Sequence, residues 1–510
     1  MKVHCKLLAL SLFLVAAIVG LLPHRAVAQI VYASIHGTVM DSAGAVVPGA
    51  KVTALNVSTG ISTTITTDSK GYYIFPQLHI GGPYTVSVDK PGFETFKSTG
   101  LILNLNAARQ IDAKLVAGSI SQTVQVTSAT VQVQTSDSQL KTTIGGQEIV
   151  DVPLLGRDPV QLQKTTPGVV ESSDRFGTFS TNGSQTPENS FMLDGGDITF
   201  GGLNTAGLTP NPDALAEFNV VTSTLNPEFS RNSGAIINEA LKSGTNQFHG
   251  DAFEFYRDTF LNNGNYFSYI RPVFHQNLFG GTLGGPIYKD HTFFFFAYQG
   301  IRNVAGATIL TPVLSSAQLA GNFSADTNLL THGTNATKGL SSHPIPFTIG
   351  SCQAGTPWNK CFPTGQLSPT DFNTISAALV KKYVPAANET LGTNAYYNYN
   401  TANTLSDDQY IVRIDEQLTQ KDSLFGSVIW ESAPTTDTLP FTGSTLPGFA
   451  EVNTAHTYFF NADYTHTFNQ TTLNELRASY FRFNDNGVNP ATPVAPSTAG
   501  FNITSSDKAA

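Results

Sequence analysis

From His249 onward, apolar and polar side chains alternate along one stretch after another. Tyr410, Val412 and Ile414 share one parity while Arg413, Asp415 and Gln417 share the other. Tyr458, Phe460, Ala462 and Tyr464 likewise oppose Asn461, Asp463, Thr465 and Thr467. Successive side chains of a strand point to opposite faces, so each stretch has one apolar and one polar surface. The pattern predicts strands over 250–257, 274–287, 292–301, 408–418, 423–431, 456–468 and 472–483. Tight turns at 288–291, 419–422 and 469–471 alternate with long connections. Short turns on one side and long loops on the other mark a transmembrane β-barrel rather than a water-soluble sandwich.

Ahead of these stretches the strands are shorter. Between Ala33 and Val116 lie runs at 36–39, 50–54, 63–67, 71–75, 84–88 and 102–105, punctuated by Gly and Pro. Even spacing of this kind predicts a small antiparallel sandwich. The segment 129–248 carries turns instead, and Asp213–Phe218 is predicted to be a short helix capped by Asp213. The expected fold class is therefore mainly β: a sandwich, a small α/β unit, and the first part, about seven strands, of a large antiparallel barrel.

Composition narrows the function. The 510 residues suffice for about three domains. Charged residues make up only 13%, and 34 Phe and 17 Tyr stand against two Trp. A net charge of −9, with no cluster of Lys and Arg, excludes nucleic acid as a partner. No GxSxG, HExxH or P-loop is present, and none of the 11 histidines is followed three positions later by Glu. The glycine-rich run Asn277–Pro286 leads into the strand with Phe293–Phe296 rather than into a helix, so its glycines belong to a strand and not to a phosphate cradle. The chain is expected not to be an enzyme and to hold no cofactor or metal.

The first 28 residues read as a cleaved signal peptide. Lys2 and Lys6 precede the apolar run 7–22, and Ala26-Val27-Ala28 supplies a small-x-small site before Gln29. A membrane anchor would need about 20 apolar residues. Cleavage between Ala28 and Gln29 leaves 25 Lys and Arg against 37 Asp and Glu, a net charge of −12. It also removes Cys5, leaving Cys352 and Cys361 in a Gly/Pro-rich stretch. In an oxidising compartment that pair suits a disulfide closing a small loop; two free thiols are the alternative.

Particular motifs resemble known families. Gly37-x-Val39, Ala45-Val46-Val47-Pro48-Gly49-Ala50-x-Val52, Thr67-x-x-x-Gly71-x-Tyr73 and Pro91-Gly92-Phe93 resemble the carboxypeptidase-regulatory-like domain, which implies a transthyretin-like sandwich without peptidase chemistry. Next comes Thr123-Val124-Gln125-Val126-Thr127, by itself an ordinary β-prone segment. Its place ahead of the following unit makes it resemble a TonB box, which implies strand pairing with a periplasmic energy-transducing partner. Then follow Pro153-Leu154-Leu155-Gly156-Arg157-Asp158, Phe191-Met192-Leu193-Asp194-Gly195, Pro212–Phe218 and Ser243-Gly244-Thr245-Asn246. In that order they resemble the plug of TonB-dependent receptors, and more narrowly those of the Oar-like group.

The resemblance implies an outer-membrane receptor, its N-terminal domains periplasmic, that captures a ligand on outer loops and admits it by energised displacement of the plug. The implied organisation is 1–28 signal peptide, 29–117 sandwich, 118–128 linker with the TonB-box-like segment, 129–248 plug and 249–510 partial barrel. Arg157, Asp158, Asp194, Gly195 and Asp197 are expected to serve plug ion pairs or turns. The implied partners are a TonB-type protein, outer-membrane lipid and an unknown ligand: glycan, siderophore or peptide. A surface glycan-binding or adhesion protein anchored by the barrel is the competing reading. Barrels of this class close with about 22 strands. Seven strands, and an end at Ser505–Ala510 without a terminal aromatic strand, lead to the expectation that the sequence is partial.

Overall fold

The computed structural model describes residues 32–118, 123–127 and 139–488, apart from 173–177, 187, 224–232, 264–270, 272, 328–356, 362–364, 369, 371, 373, 393 and 441–444. The expected signal cleavage site at Ala28 and Gln29 lies outside the described residues. So does Cys352, although Cys361 ends a short helix, Trp358–Cys361.

Two sheets form the first unit. One runs Tyr72–Leu78, Ala33–Asp41 and Ala108–Gln110, with Ala113–Leu115 also on Ala33–Asp41. The other runs Ser62–Thr66, Lys51–Asn56, Gly81–Asp89, Thr95–Leu103 and Thr123–Thr127. Alternate residues of Ala33–Asp41 turn inward, placing Ile35 and Val39 in a core with Val52, Phe75, Val86 and Leu101. Gly37 occurs where the backbone of Ile111 crosses: a Cβ there would lie 1.8 Å from the Ile111 carbonyl oxygen. The same carbonyl accepts the Tyr73 hydroxyl at 2.7 Å, so two of the family-like motif positions meet at one crossing.

The middle unit is a five-stranded sheet in the order Leu140–Gly145, Leu215–Ser223, Ile236–Leu241, Ser190–Leu193, Gly196–Asp197. Here the sequence expectation needs correcting. Asp213–Phe218 is not a helix: a single 3-10 turn, Pro212–Ala214, is capped by Asn211 rather than Asp213, and a strand begins at Leu215. The run Leu215–Ser223 is rich in β-branched residues and gains ladders on both sides, which outweighs the cap signal. A helix the pattern did not indicate, Gly146–Asp151, buries Ile149.

The remainder is one antiparallel sheet: His249–Asp258, Phe274–Tyr288, Thr292–Pro312, Asn394–Gln417, Asp422–Ser432, Glu451–Asn469 and Thr472–Val488 pair in chain order, with the short strands Glu389–Leu391 and Thr435–Asp437 added at one end. Thr292–Pro312 and Asn394–Gln417 are 21 and 24 residues long, whereas the sequence pattern ended the first at 301 and began the second at 408. A strand crosses a bilayer in about 9–11 residues, so this hairpin runs well past a membrane's thickness. Its far half was missed because Asn, Thr and Gly dilute the alternation there, although the register stays unbroken from Thr292↔Glu416 to Pro312↔Tyr396.

The two faces of the sheet differ as the alternation requires. Tyr410, Val412, Ile414, Val428, Trp430 and Phe460 are exposed on one face. On the other, Phe295, Ala297, Ile411, Ile429 and Phe459 share a single buried cluster with Ile144, Phe191, Leu193, Phe218 and Ile237 of the middle unit. The middle unit therefore sits in the hollow of the sheet.

Candidate functional site

The joint between the middle unit and the large sheet is where charge is buried. Its centre is the Asp194-Gly195 turn joining Ser190–Leu193 to Gly196–Asp197. Both central residues have positive φ, +46° and +76°, as a tight hairpin requires. Asp194 is buried and accepts from the Leu241 amide at 3.1 Å, which ties the turn to its own sheet.

From the opposite side Arg413, on the inward face of Asn394–Gln417, donates Nη1 to Asp194 Oδ1 at 2.9 Å and Nη2 to Asp415 Oδ1 at 2.8 Å. Its guanidinium also lies 4.4 Å from the Phe425 ring centroid. Asp415 in turn accepts from Ser243 Oγ at 2.7 Å. One arginine thus spans two buried carboxylates, one from each body. Burial pushes the Asp194 carboxyl above its usual range, and the neighbouring guanidinium opposes that rise.

Two further strands hold the same turn. Asn461 Nδ2 donates to the Asp194 carbonyl at 2.9 Å, and Arg477 Nη1 reaches the Gly195 carbonyl at 3.4 Å. Arg477 is itself paired with Asp463 at 2.9 Å and with Glu475. Higher in the hollow, Gln409 accepts from the Asn211 amide at 2.8 Å and donates to the Thr209 carbonyl at 2.9 Å.

The other predicted positions fall elsewhere. Arg157 pairs with Asp213 inside the middle unit, and its guanidinium lies 4.8 and 4.4 Å from the Phe253 and Phe255 centroids of the first long strand. Asp158 caps the 3-10 helix Pro159–Thr165 by accepting from the Val160 amide at 3.0 Å. Asp197 accepts from the Thr199 amide at 2.8 Å. Arg157 and Asp194 therefore belong to two separate ion-pair sets. Thr123–Thr127 forms the last strand of a sandwich sheet, pairing in parallel with Thr95–Thr99.

Sequence reasoning passed over two buried glutamates. Glu217 accepts from the Leu105 amide of the sandwich at 2.8 Å, and burial raises its carboxyl to about 7. Glu239 is almost fully buried, its oxygens have no hydrogen-bond partner among the described residues, and burial beside Asp158 raises it to about 8. The available signal was an acid inside the otherwise apolar run Ile236–Leu241. Among the described residues no cluster of His, Cys, Asp and Glu forms a metal site.

The sandwich also reaches the joint. Tyr32 donates to Asp463 at 3.0 Å, and Tyr32 and Leu105 pack with Ala240 of the middle unit and Phe425 of the large sheet.

Residues 240–509, more than half of the chain, match the outer membrane beta barrel domain family. The chain belongs to that family. Residues 34–116 match the carboxypeptidase regulatory-like domain. The TonB-dependent transporter Oar of Myxococcus xanthus is 28% identical over 286 residues, covering 52% of this chain and 26% of that protein. The chain thus spans about a quarter of the length of this curated relative. The outer membrane transporter YddB of Escherichia coli is similar at 10% identity and TM-score 0.39, over 64% of this chain and 37% of that one. The ferric enterobactin receptor PfeA of Pseudomonas aeruginosa is similar at 11% identity and TM-score 0.33, over 69% of this chain and 47% of that one. The expected outer-membrane barrel and regulatory-like domain are borne out by the two family models, and the expected resemblance to the Oar-like group by the similarity to the Myxococcus xanthus transporter. So is the mainly β fold with a regulatory-like sandwich ahead of a barrel.

Proposed function

We propose that the chain works as a TonB-dependent transporter in which the middle unit is the plug, displaced from the barrel by an energised periplasmic partner. The observation that carries this reading is the Asp194–Arg413–Asp415 joint. Among the described residues the middle unit shares no sheet with the barrel wall; buried polar contacts and an apolar cluster hold it. A joint of this kind is firm at rest and separates as a unit. Both bodies bury part of a shared charge set, so a small shift that parts Asp194 from Arg413 exposes both to water together.

In this reading the sandwich is periplasmic, Thr123–Thr127 receives the TonB-type protein, and the long hairpin Thr292–Pro312 with Asn394–Gln417 projects outward to meet ligand. The ligand class, whether glycan, siderophore or peptide, is set by loops and not by a catalytic group. Arg157, Asp158 and Asp197 then have structural roles within the plug, and Asp194 with Gly195 supplies its contact to the wall.

The test is accessibility of the barrel's inner face. Ser427 is 1% exposed beneath the middle unit. A Ser427→Cys receptor, with Cys352 and Cys361 changed to Ser, is expected to react with a polar maleimide in energised cells and to stop reacting when a protonophore is added. Equal labelling in both states contradicts plug displacement.

A further inference from the structure

The sandwich touches both of the other bodies at once. On the middle unit, Glu217 accepts the Leu105 amide at 2.8 Å, and Lys141 Nζ donates to the Asn106 carbonyl at 3.1 Å. On the large sheet, Asp463 accepts the Tyr32 hydroxyl at 3.0 Å, and Gln470, in a tight turn, donates to the Thr66 carbonyl at 2.8 Å. Where the chain passes from the middle unit into the sheet, the Asn246 amide donates to the Ser58 carbonyl at 2.9 Å. Beside that contact, Gly60 has no room for a Cβ against Asp290 of a second tight turn.

All these groups belong to one packed body. Tyr32 adjoins the strand Ala33–Asp41, Leu105 and Asn106 follow Thr95–Leu103, and Ser58 and Thr66 lie at either end of the turn and strand that reach Thr66. The sandwich core holds them in a fixed relation. A rigid body bonded to two others cannot keep both sets of bonds when those two part. Displacement of the middle unit therefore breaks the contacts at Asp463 and Gln470 or those at Glu217 and Lys141, in addition to the Asp194–Arg413 pair.

The grip is also of a releasable kind. Among the described residues, the buried apolar cluster at the three-way contact is Tyr32, Leu105, Ala240 and Phe425. The cluster between the middle unit and the sheet is heavier, with Phe191, Phe218, Phe295 and Phe459. Next to the smaller cluster the three bodies leave a cavity of about 610 Å³ between them, lined by Ile65 and His79 of the sandwich, Lys242 of the middle unit, and Gln417 and Phe468 of the sheet. Hydrogen bonds around a hollow lack the continuous apolar burial of a permanent interface, and domains joined in this way move relative to each other. Each such bond has a modest net worth, so the set holds at rest and parts without unfolding either side.

We propose that the regulatory-like sandwich is a latch: docked, it staples the middle unit to the barrel wall and keeps it seated, and its release is the step that frees the middle unit to move. This rests on the reading of the middle unit as a displaceable plug, and the test separates the two.

A Tyr32→Phe/Gln470→Ala receptor loses both side-chain bonds between sandwich and barrel, while every residue of the middle unit is unchanged and Asp463 keeps Arg477. Variant and parent both carry Ser427→Cys, at the position buried beneath the middle unit, with Cys352 and Cys361 changed to Ser. Both are extracted from outer membranes in detergent, with no partner and no energy source, and their rates of labelling by a polar maleimide are compared. The proposal expects the variant to label about fivefold faster or more, which is what the loss of two ordinary hydrogen bonds gives. Rates within about twofold of each other overturn it. Tyr32→Phe alone alters neither the barrel nor the middle unit and is expected to speed labelling by about twofold or more. If Gln470→Ala alone speeds it and Tyr32→Phe does not, the barrel rather than a latch has been loosened, and the proposal falls. Failure of the underlying reading shows separately, as a parent receptor whose labelling in cells ignores a protonophore, and it takes the latch with it.

Discussion

Replacing Arg413 with Ala should cost the joint between the middle unit and the large sheet far more than neutralising the acid it meets. The side chains of Asp194, Arg413 and Asp415 are 3%, 9% and 8% exposed, so water does little to screen them. At rest the site holds two carboxylates and one guanidinium. Arg413→Ala leaves two facing carboxylates with no cation, and breaking a buried pair in this way costs about 3–5 kcal/mol. The lost stacking of Arg413 on Phe425 adds to that figure. Asp194→Asn leaves Arg413 still neutralised by Asp415, and the new amide oxygen can go on accepting from Leu241 and Arg413. Its cost should stay within about 1.5 kcal/mol, the net worth of a hydrogen bond. In the double variant Asp194→Asn/Arg413→Ala, less of the Arg413 penalty should remain, with a coupling of roughly 0.5–3 kcal/mol. The assay is the urea midpoint at which the middle unit becomes protease-sensitive in detergent-extracted receptor. Equal losses for the two single variants, or a loss below about 1 kcal/mol for Arg413→Ala, would refute the argument that this arginine compensates both acids.

Three further outcomes follow from other parts of the molecule. Because burial raises Glu217 from an ordinary value near 4.5 to about 7, its contribution to the stability of the folded protein is fully present below pH 4.5 and is lost as pH rises to about 7, by roughly 3 kcal/mol in all; the pH dependence of the urea midpoint of the middle unit should follow that course and flatten in Glu217→Gln. Gly37→Ala sets a methyl carbon against the Ile111 carbonyl oxygen, which must move from 1.8 Å, and should destabilise the sandwich by about 1–3 kcal/mol or more, read as a lower melting temperature of that step in calorimetry. Val412→Arg places a charge on the exposed apolar face and should reduce assembly into the outer membrane, by up to about 2–4 kcal/mol where the position lies at mid-bilayer, whereas Ser427→Thr on the inner face should assemble normally.

The sequence spoke most clearly where period and burial coincide. Alternation along Tyr410–Gln417 separated the exposed Val412 from the buried Arg413 without any structural input, because side-chain parity in a strand is fixed by the backbone. The Asp194-Gly195 turn was equally legible, since few dipeptides adopt two consecutive positive φ angles. Other features depended on partners distant in the chain. That Asp194 meets Arg413 rather than another arginine follows from docking across more than two hundred residues. The burial of Glu217 and Glu239 is decided by neighbours above and below the sheet, not by the strand itself. Asp213 reads locally as a cap, yet pairing of Leu215–Ser223 on both sides turned the segment into a strand, and Asp213 went to Arg157. The far half of Thr292–Pro312 escaped detection because Asn, Thr and Gly dilute the alternation there.

Displacement of the middle unit within the barrel is the central claim, and a distance between the two bodies tests it most directly. Gln147 on the middle unit and Lys421 in a tight barrel turn are both exposed and accept spin labels as cysteines. Pulsed electron resonance on outer membranes should give one narrow distance at rest and, once the partner is energised, a second, longer population that disappears when the energy source is withdrawn. A single unchanged distance under both conditions would contradict the account.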